Sequence, residues 1–204
     1  DNTGVRELNF SGALGFSNSR LGTEVYFSHF QTSIGILTDS HTGNLSDLES
    51  IIENGRPFRS PDFTYDIQNP RQNVDHQLLK LKGHYHMAGG AKLNIQYAFQ
   101  RNHRQEFDRR RGVLNIRHSL YLVLFTNTLD LSYNHQTRKN WNGSVGVQLI
   151  QQANSNIPGT GVVPLIPNYD MLNVGFFAIE KFTSGPLEIE GGLRYDFRHV
   201  EAAR

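Results

Sequence analysis

Residues Leu187–His199 read LEIEGGLRYDFRH, and taking every second residue separates them into two lists. Leu187, Ile189, Gly191, Leu193, Tyr195 and Phe197 form one, oily and ending in aromatics. Glu188, Glu190, Gly192, Arg194, Asp196 and Arg198 form the other, charged apart from the glycine. A period of two marks a β-strand, because successive side chains leave opposite faces of the pleat. The stretch exceeds the usual strand of about 5–6 residues. One oily side, one ionic side and enough length to cross a bilayer at a tilt point to a transmembrane barrel strand.

The theme recurs along the chain. Leu8, Phe10, Gly12, Leu14 and Phe16 alternate with Glu7, Asn9, Ser11 and Ala13, and SNSR (Ser17–Arg20) supplies a tight turn. The return strand, Leu21 towards Leu37, alternates poorly: Tyr26, Phe30, Ile34 and Ile36 fall opposite Val25 and Phe27, so its register stays open. Later strands are cleaner. Leu79, Leu81, Gly83, Tyr85 and Met87 face one way, and Lys80, Lys82, His84 and His86 the other. Leu93, Ile95, Tyr97 and Phe99, then Phe125, Leu129, Leu131 and Tyr133, then Trp141, Val145, Val147 and Leu149 continue the oily side. Leu172, Val174, Phe176, Ala178 and Phe182 precede a TSGP turn into the opening stretch. Short turns alternate with long connections at about 38–73, 101–118 and 153–168. Within the first, LSDLESIIENG reads as a short helix with Ser46 as N-cap and Gly55 as its stop.

The expected fold is therefore all-β, an antiparallel up-and-down transmembrane β-barrel contributing about eight strands. Tyr85, Tyr97, Phe99, Tyr133, Trp141, Phe176, Tyr195 and Phe197 are its expected lipid-facing aromatics, most of them near strand ends as interfacial girdles would be. Glu188, Glu190, Arg194, Asp196 and Arg198 are expected to face the lumen. A soluble sandwich or lipocalin-like barrel also alternates, but strand length and the short–long rhythm favour the membrane.

Composition narrows the classes. With 37% hydrophobic residues, a mean hydropathy of −0.48 and LYLVLF (Leu120–Phe125) as the longest apolar run, no helix could span a bilayer. Barrels escape hydropathy windows because half of each strand is polar. A net charge of +1 gives no case for nucleic acid. The absence of cysteine removes disulfide frameworks and thiolate metal sites. Asp1 opens the chain with neither a basic nor an apolar leader, as expected of a mature or excised segment.

Four strings carry a family resemblance: IGILTDSHTGNLSDLESIIENGRPF (Ile34–Phe58), YAFQRNHRQEFDRRRG (Tyr97–Gly112), NSNIPGTGVVPLIPNY (Asn154–Tyr169) and GLRYDFRH (Gly192–His199). In this order they resemble the barrel of TonB-dependent outer-membrane receptors, most closely those of Bacteroidetes-type bacteria. The resemblance implies a larger barrel of about 22 strands around a folded plug. It also implies residence in the outer membrane of a Gram-negative bacterium, among its lipid and lipopolysaccharide. The implied activity is uptake of a scarce nutrient, an iron–siderophore complex, haem or a similar chelate, with energy delivered by the TonB complex through the plug. The chain departs from the pattern in showing no plug, no TonB-contact segment and no terminal aromatic strand. An internal piece of such a barrel is therefore expected, with a self-contained eight-stranded barrel of structural or surface-binding role as the alternative.

No catalytic residues, cofactor or metal are expected. His84 and His86 share a face but lack further converging ligands, and polar lining is the better reading. In the outer loops, His41, Arg101, His103, Arg104 and Arg110 are the candidate ligand contacts, since imidazoles could meet a metal chelate and guanidinium forks suit carboxylates and phosphates. The same arginines could instead bridge lipopolysaccharide phosphates or stay solvated. Glu188 and Glu190 are spaced to share a face, yet no nucleophile or apolar pocket accompanies them.

Overall fold

In the computed structural model, which describes residues 2–37, 45–55, 62, 64–108 and 117–203, eight strands follow one another in a single sheet. They are β1 (Val5–Ser17), β2 (Leu21–Gly35), β3 (Arg71–His86), β4 (Lys92–Phe107), β5 (Leu120–Asn134), β6 (Trp141–Asn156), β7 (Asn168–Ser184) and β8 (Leu187–Ala203). Each pairs antiparallel with the next. One helix, α1 (Leu45–Asn54), lies in the β2–β3 connection and stops at Gly55, whose φ of 66° is the left-handed conformation that glycine adopts without strain. Ser46 lies inside α1 rather than capping it, and residues 41–44 lie outside the described set.

The turns are built as their sequences require. Asn18 Oδ1 accepts from the backbone N–H of Arg20 and of Leu21, both at 2.8 Å, closing the β1–β2 turn. Lys139 and Asn140 have positive φ in the β5–β6 turn, between reciprocal backbone bonds of Arg138 and Trp141. The tight turns join strands at one rim of the sheet, and at the other the strands end where the connections 36–70, 108–119 and 157–167 begin.

Cross-strand partners project to the same face, so the pairing joins the separate alternations into one test. Following Tyr195 across the sheet gives Tyr195↔Phe176↔Val147↔Leu131↔Ile95↔Gly83↔Thr23↔Phe16. Every oily set read from the sequence falls on that one face. Glu188, Glu190, Arg194, Asp196 and Arg198 fall on the other, with Glu24, Lys82, Gln96 and Asp130. The open register of β2 is settled: Val25 and Phe27 join the apolar face, while Tyr26 and Phe30 lie on the polar one, Tyr26 beneath the Lys80 ammonium at 4.8 Å.

Among the described residues the sheet has no second layer. Its apolar face is exposed, with Leu193 at 83% and Leu14 at 81%, and only Ala91, Ala98, Phe107 and Val123 are buried apolar residues among those described. The sheet is also open: β1 and β8 are both edges. The self-contained closed ring of eight strands, the alternative offered by the sequence, is thus not what these strands form.

Bulky residues on the polar face lie over glycines of the neighbouring strand. Phe177 covers Gly146 and His84 covers Gly22, each where a Cβ would overlap the ring. Gly12 and Gly191 have open space instead. Gly146→Val is therefore expected to destabilise the fold by about 1–3 kcal/mol through overpacking. Gly191→Ala should leave it near neutral, and thermal melts of the two variants check the contrast.

Candidate functional site

The polar face carries the chemistry. Five strands contribute to one hydrogen-bonded chain on it. Gln148 Nε2 donates to Asp130 Oδ1 at 2.7 Å, and Gln96 reaches the other oxygen of Asp130 at 3.5 Å. Arg194 donates to Gln148 Oε1 at 3.0 Å and makes two bonds to Asp196, both at 2.7 Å. Asn173, buried, donates to Asp196 and accepts from Arg198, each at 3.4 Å. Arg194 of β8 reaches Gln148 of β6 across β7 because Gly175 stands between them, and a Cβ there would collide with Arg194 and Asp196. The charges alternate in sign and are held by amides, so the network is satisfied internally. Lys181 binds Glu188 at 2.6 Å and Lys82 lies 3.6 Å from Glu24 in the same fashion.

A shallow depression of about 600 Å³ opens on this face over β1–β5. Gly15 and Gly22 give it room, and Glu24, Lys82, His84, Asn94, Gln96 and Asp130 edge it. It offers both charge signs and amides, suited to a polar surface or solute. Among the described residues, no group of three histidines or carboxylates could hold a metal ion. His84 and His86 do share the face, their rings 5.2 Å apart and edge-on.

The candidate ligand residues separate. His41 and Arg110 lie outside the described residues. Arg101, His103 and Arg104, expected in a loop, belong to β4, which runs on to Phe107. Alternation sends them to opposite sides. Arg104 points to the polar face and binds Glu106 at 2.6 Å, with Gln72 on the same carboxylate at 3.3 Å. Arg101 and His103 share the apolar-side face, with Gln77 and Asp75 as their partners on β3 and Phe125 and Val123 on β5. Asp75 there binds His29 at 2.7 Å. The three described candidates thus do not share one face.

The chain Gln96–Asp130–Gln148–Arg194–Asp196–Asn173 was missed by sequence reasoning as a unit. Its signal was present in part: each member alternates with oily neighbours, and Gly175 marks a place where a neighbour crosses. Which strands would bring them level was not readable without the pairing.

The apolar face is not uniform. Its oily residues form a band beginning at the short-turn rim, and polar residues follow: His29 above Phe27, Gln77 above Leu79, Arg101 above Phe99, His199 above Phe197. Polar groups inside the band are tied down. Tyr97 donates to Asn127 at 2.6 Å, and Glu180 meets His135 of the β5–β6 turn at 3.1 Å. The row of partners starting at Phe10 ends at Glu201, which lies beyond Phe197, the last oily residue of β8, whereas Leu8 beyond Phe10 is still oily. The band's upper margin is uneven: Phe27, Leu79, Phe99 and Leu172 end it in one row of partners, whereas on β5 Phe125 and Val123 carry it further.

No family model matches the chain, and no curated protein matches it. No helix among the described residues is long and apolar enough to cross a membrane, which says nothing of crossing by strands.

His135 has a raised pKa, because its ring hydrogen-bonds the Gln136 carbonyl and then the Glu180 carboxylate. A raised folded value means that the interaction stabilises fully at acid pH, below the ordinary imidazole range, and is lost as pH rises through the raised value. Glu180→Gln is expected to move the His135 midpoint back down. An NMR titration of the ring reads this directly, and an unmoved midpoint would show that the carboxylate is not engaged.

Proposed function

We propose that this sheet is part of the wall of an outer-membrane β-barrel of the TonB-dependent receptor type, serving energy-coupled uptake of a scarce nutrient. The observation that carries the reading is the exposed apolar band. It runs without a covering layer over all eight strands, far beyond the few hundred Å² that soluble monomers leave bare in one patch. Along β8 it spans Leu187–Phe197 and along β1 Leu8–Phe16, roughly 26–33 Å measured along the strand at about 3.3 Å per residue. A bilayer's apolar zone on an outer-membrane barrel is about 25 Å tall, crossed by strands tilted about 35–45°. Lipid is the cover that fits.

Several features support a wide barrel over a narrow one. Both edge strands are unpaired, and hydrocarbon does not tolerate open edges, so further strands must complete the ring. Tight turns on one rim and long connections on the other match periplasmic and extracellular ends. Strands overhang the band only on the long-connection side. Tyr85, Tyr133 and Trp141 lie at the band's short-turn margin, and Tyr97, Phe99, Tyr195 and Phe197 towards the other, as interfacial aromatics do. The polar face, with its paired charges, becomes the lumen wall against which a plug could rest.

In this reading the strands are the rigid frame, and ligand is gathered by the long connections, which carry recognition in such scaffolds. The resemblance of the four loop and strand strings to TonB-dependent receptors is what names the transport activity and an iron chelate as first cargo. Energy would come from the TonB complex through a plug domain. Ordered lipid and lipopolysaccharide would surround the band.

Leu193→Arg separates lipid from water as the cover. Leu193 is 83% exposed, so in a water-soluble protein the change should be nearly neutral. In a bilayer an arginine within the band costs about 2–4 kcal/mol near the midplane. The expected result is a strong loss of folded protein in outer-membrane fractions, with Glu188→Arg on the lumen side much milder. Equal, small effects at both positions would sink the membrane reading.

A further inference from the structure

We infer that Asn2 is a latch. It holds a strap, residues 64–70 of the β2–β3 connection, across the apolar-side face where the chain enters β1, and this one side chain decides whether the strap lies closed. The latch itself does not depend on what covers the apolar band.

Asn2 stands where distant segments meet. Its Nδ2 donates to the Ile36 carbonyl at 3.0 Å and to the Pro70 carbonyl at 2.8 Å, and its Oδ1 accepts from the Gln68 N–H at 2.7 Å. One amide thus fills three of its four hydrogen-bonding positions with backbone groups. The three partners lie 34, 68 and 66 residues away, and all belong to the two ends of the same connection. Asn2 is buried, so water does not compete for these bonds. Its φ of 59° is left-handed, a conformation that asparagine adopts more readily than most side chains.

Two glycines make room for the strap and fix its side. The Gly35 N–H donates to the Gly4 carbonyl at 2.8 Å, one step beyond the β1–β2 pairing, and by parity both glycines look to the apolar-side face with Arg6 and Ser33. A Cβ on Gly4 would press on Ile67 and on the Thr64 and Tyr65 carbonyls, and one on Gly35 would overlap the Asn2 carbonyl. The strap therefore crosses over Gly4 on that face. The Ile36 N–H, bonded to the Pro70 carbonyl at 2.9 Å, ties its far end to the end of β2. If the amide withdraws, the Ile36 carbonyl and the Gln68 N–H lose these partners together, so closed and open are two discrete arrangements. In the barrel reading the apolar side is the outside of the wall. The strap is then held beside the mouth rather than across it, and moving it over the lumen requires Asn2 to let go.

The test uses the whole polypeptide that carries these residues, folded in mild detergent, with amide hydrogen exchange read by mass spectrometry. Asn2→Ala is expected to speed exchange at Ile36 and Gln68 roughly tenfold or more, as loss of shielded hydrogen bonds does, while the amides of β4–β7 keep their wild-type rates. Asn2→Asp keeps the size and the acceptor but has no N–H for the two carbonyls, so it should free Ile36 as well and Gln68 less. Arg138→Gln, in a turn of the opposite rim, should change neither rate. Wild-type exchange at Ile36 and Gln68 in both Asn2 variants would overturn the latch. A rise of the same size throughout β4–β7 would overturn it too, by showing that Asn2 supports the whole sheet rather than the strap. Neither result bears on the membrane reading, which Leu193→Arg tests separately.

Discussion

Everything here depends on the backbone ladder and the parity it enforces. Because side chains alternate strictly, a one-residue slip between any two strands would carry one strand's oily set to the polar side. Seven consecutive pairings keep the sets together, from Phe16 of β1 to Tyr195 of β8. No hydrophobic core does this among the described residues, where the sheet has no second layer. The register is instead pinned locally, by the turns at Asn18 and Asn140 and by the fit of large side chains over glycines, Phe177 on Gly146 and His84 on Gly22. Such pairs are sensitive to register because a shift of two would put a bulky group against another.

The alternation in β1, β4, β6 and β8 was legible because each oily list is unbroken across the band, and the pairing then proved them to be one face. What failed to read was the outer part of each strand. Past Phe99, β4 continues QRNHRQEF, polar on both faces, because beyond the band neither side needs oil. Polar on both sides looks like loop, so Arg101, His103 and Arg104 were expected in a connection and are in a strand. β2 was obscure for a related reason. Its outer half puts His29, Gln31 and Ser33 on the apolar-side face and Phe30 and Ile34 on the polar one, reversing the pattern of Val25 and Phe27. The helix was found, but its start was misplaced because Ser46 resembles a cap wherever it falls. The network through Asp130 and Arg194 could not be read at all, because cross-strand level is a property of pairing and not of spacing along one strand.

The two faces solve the same electrostatic problem in different ways. On the polar face, cations and carboxylates are interleaved, and Arg194 is satisfied twice, by Asp196 and by Gln148. Such a wall is neutral at close range, and a polar domain or passing solute could slide against it without a large charge to overcome. On the apolar side the few polar groups within the band are neutralised individually, Asn127 by Tyr97 and Glu180 by His135.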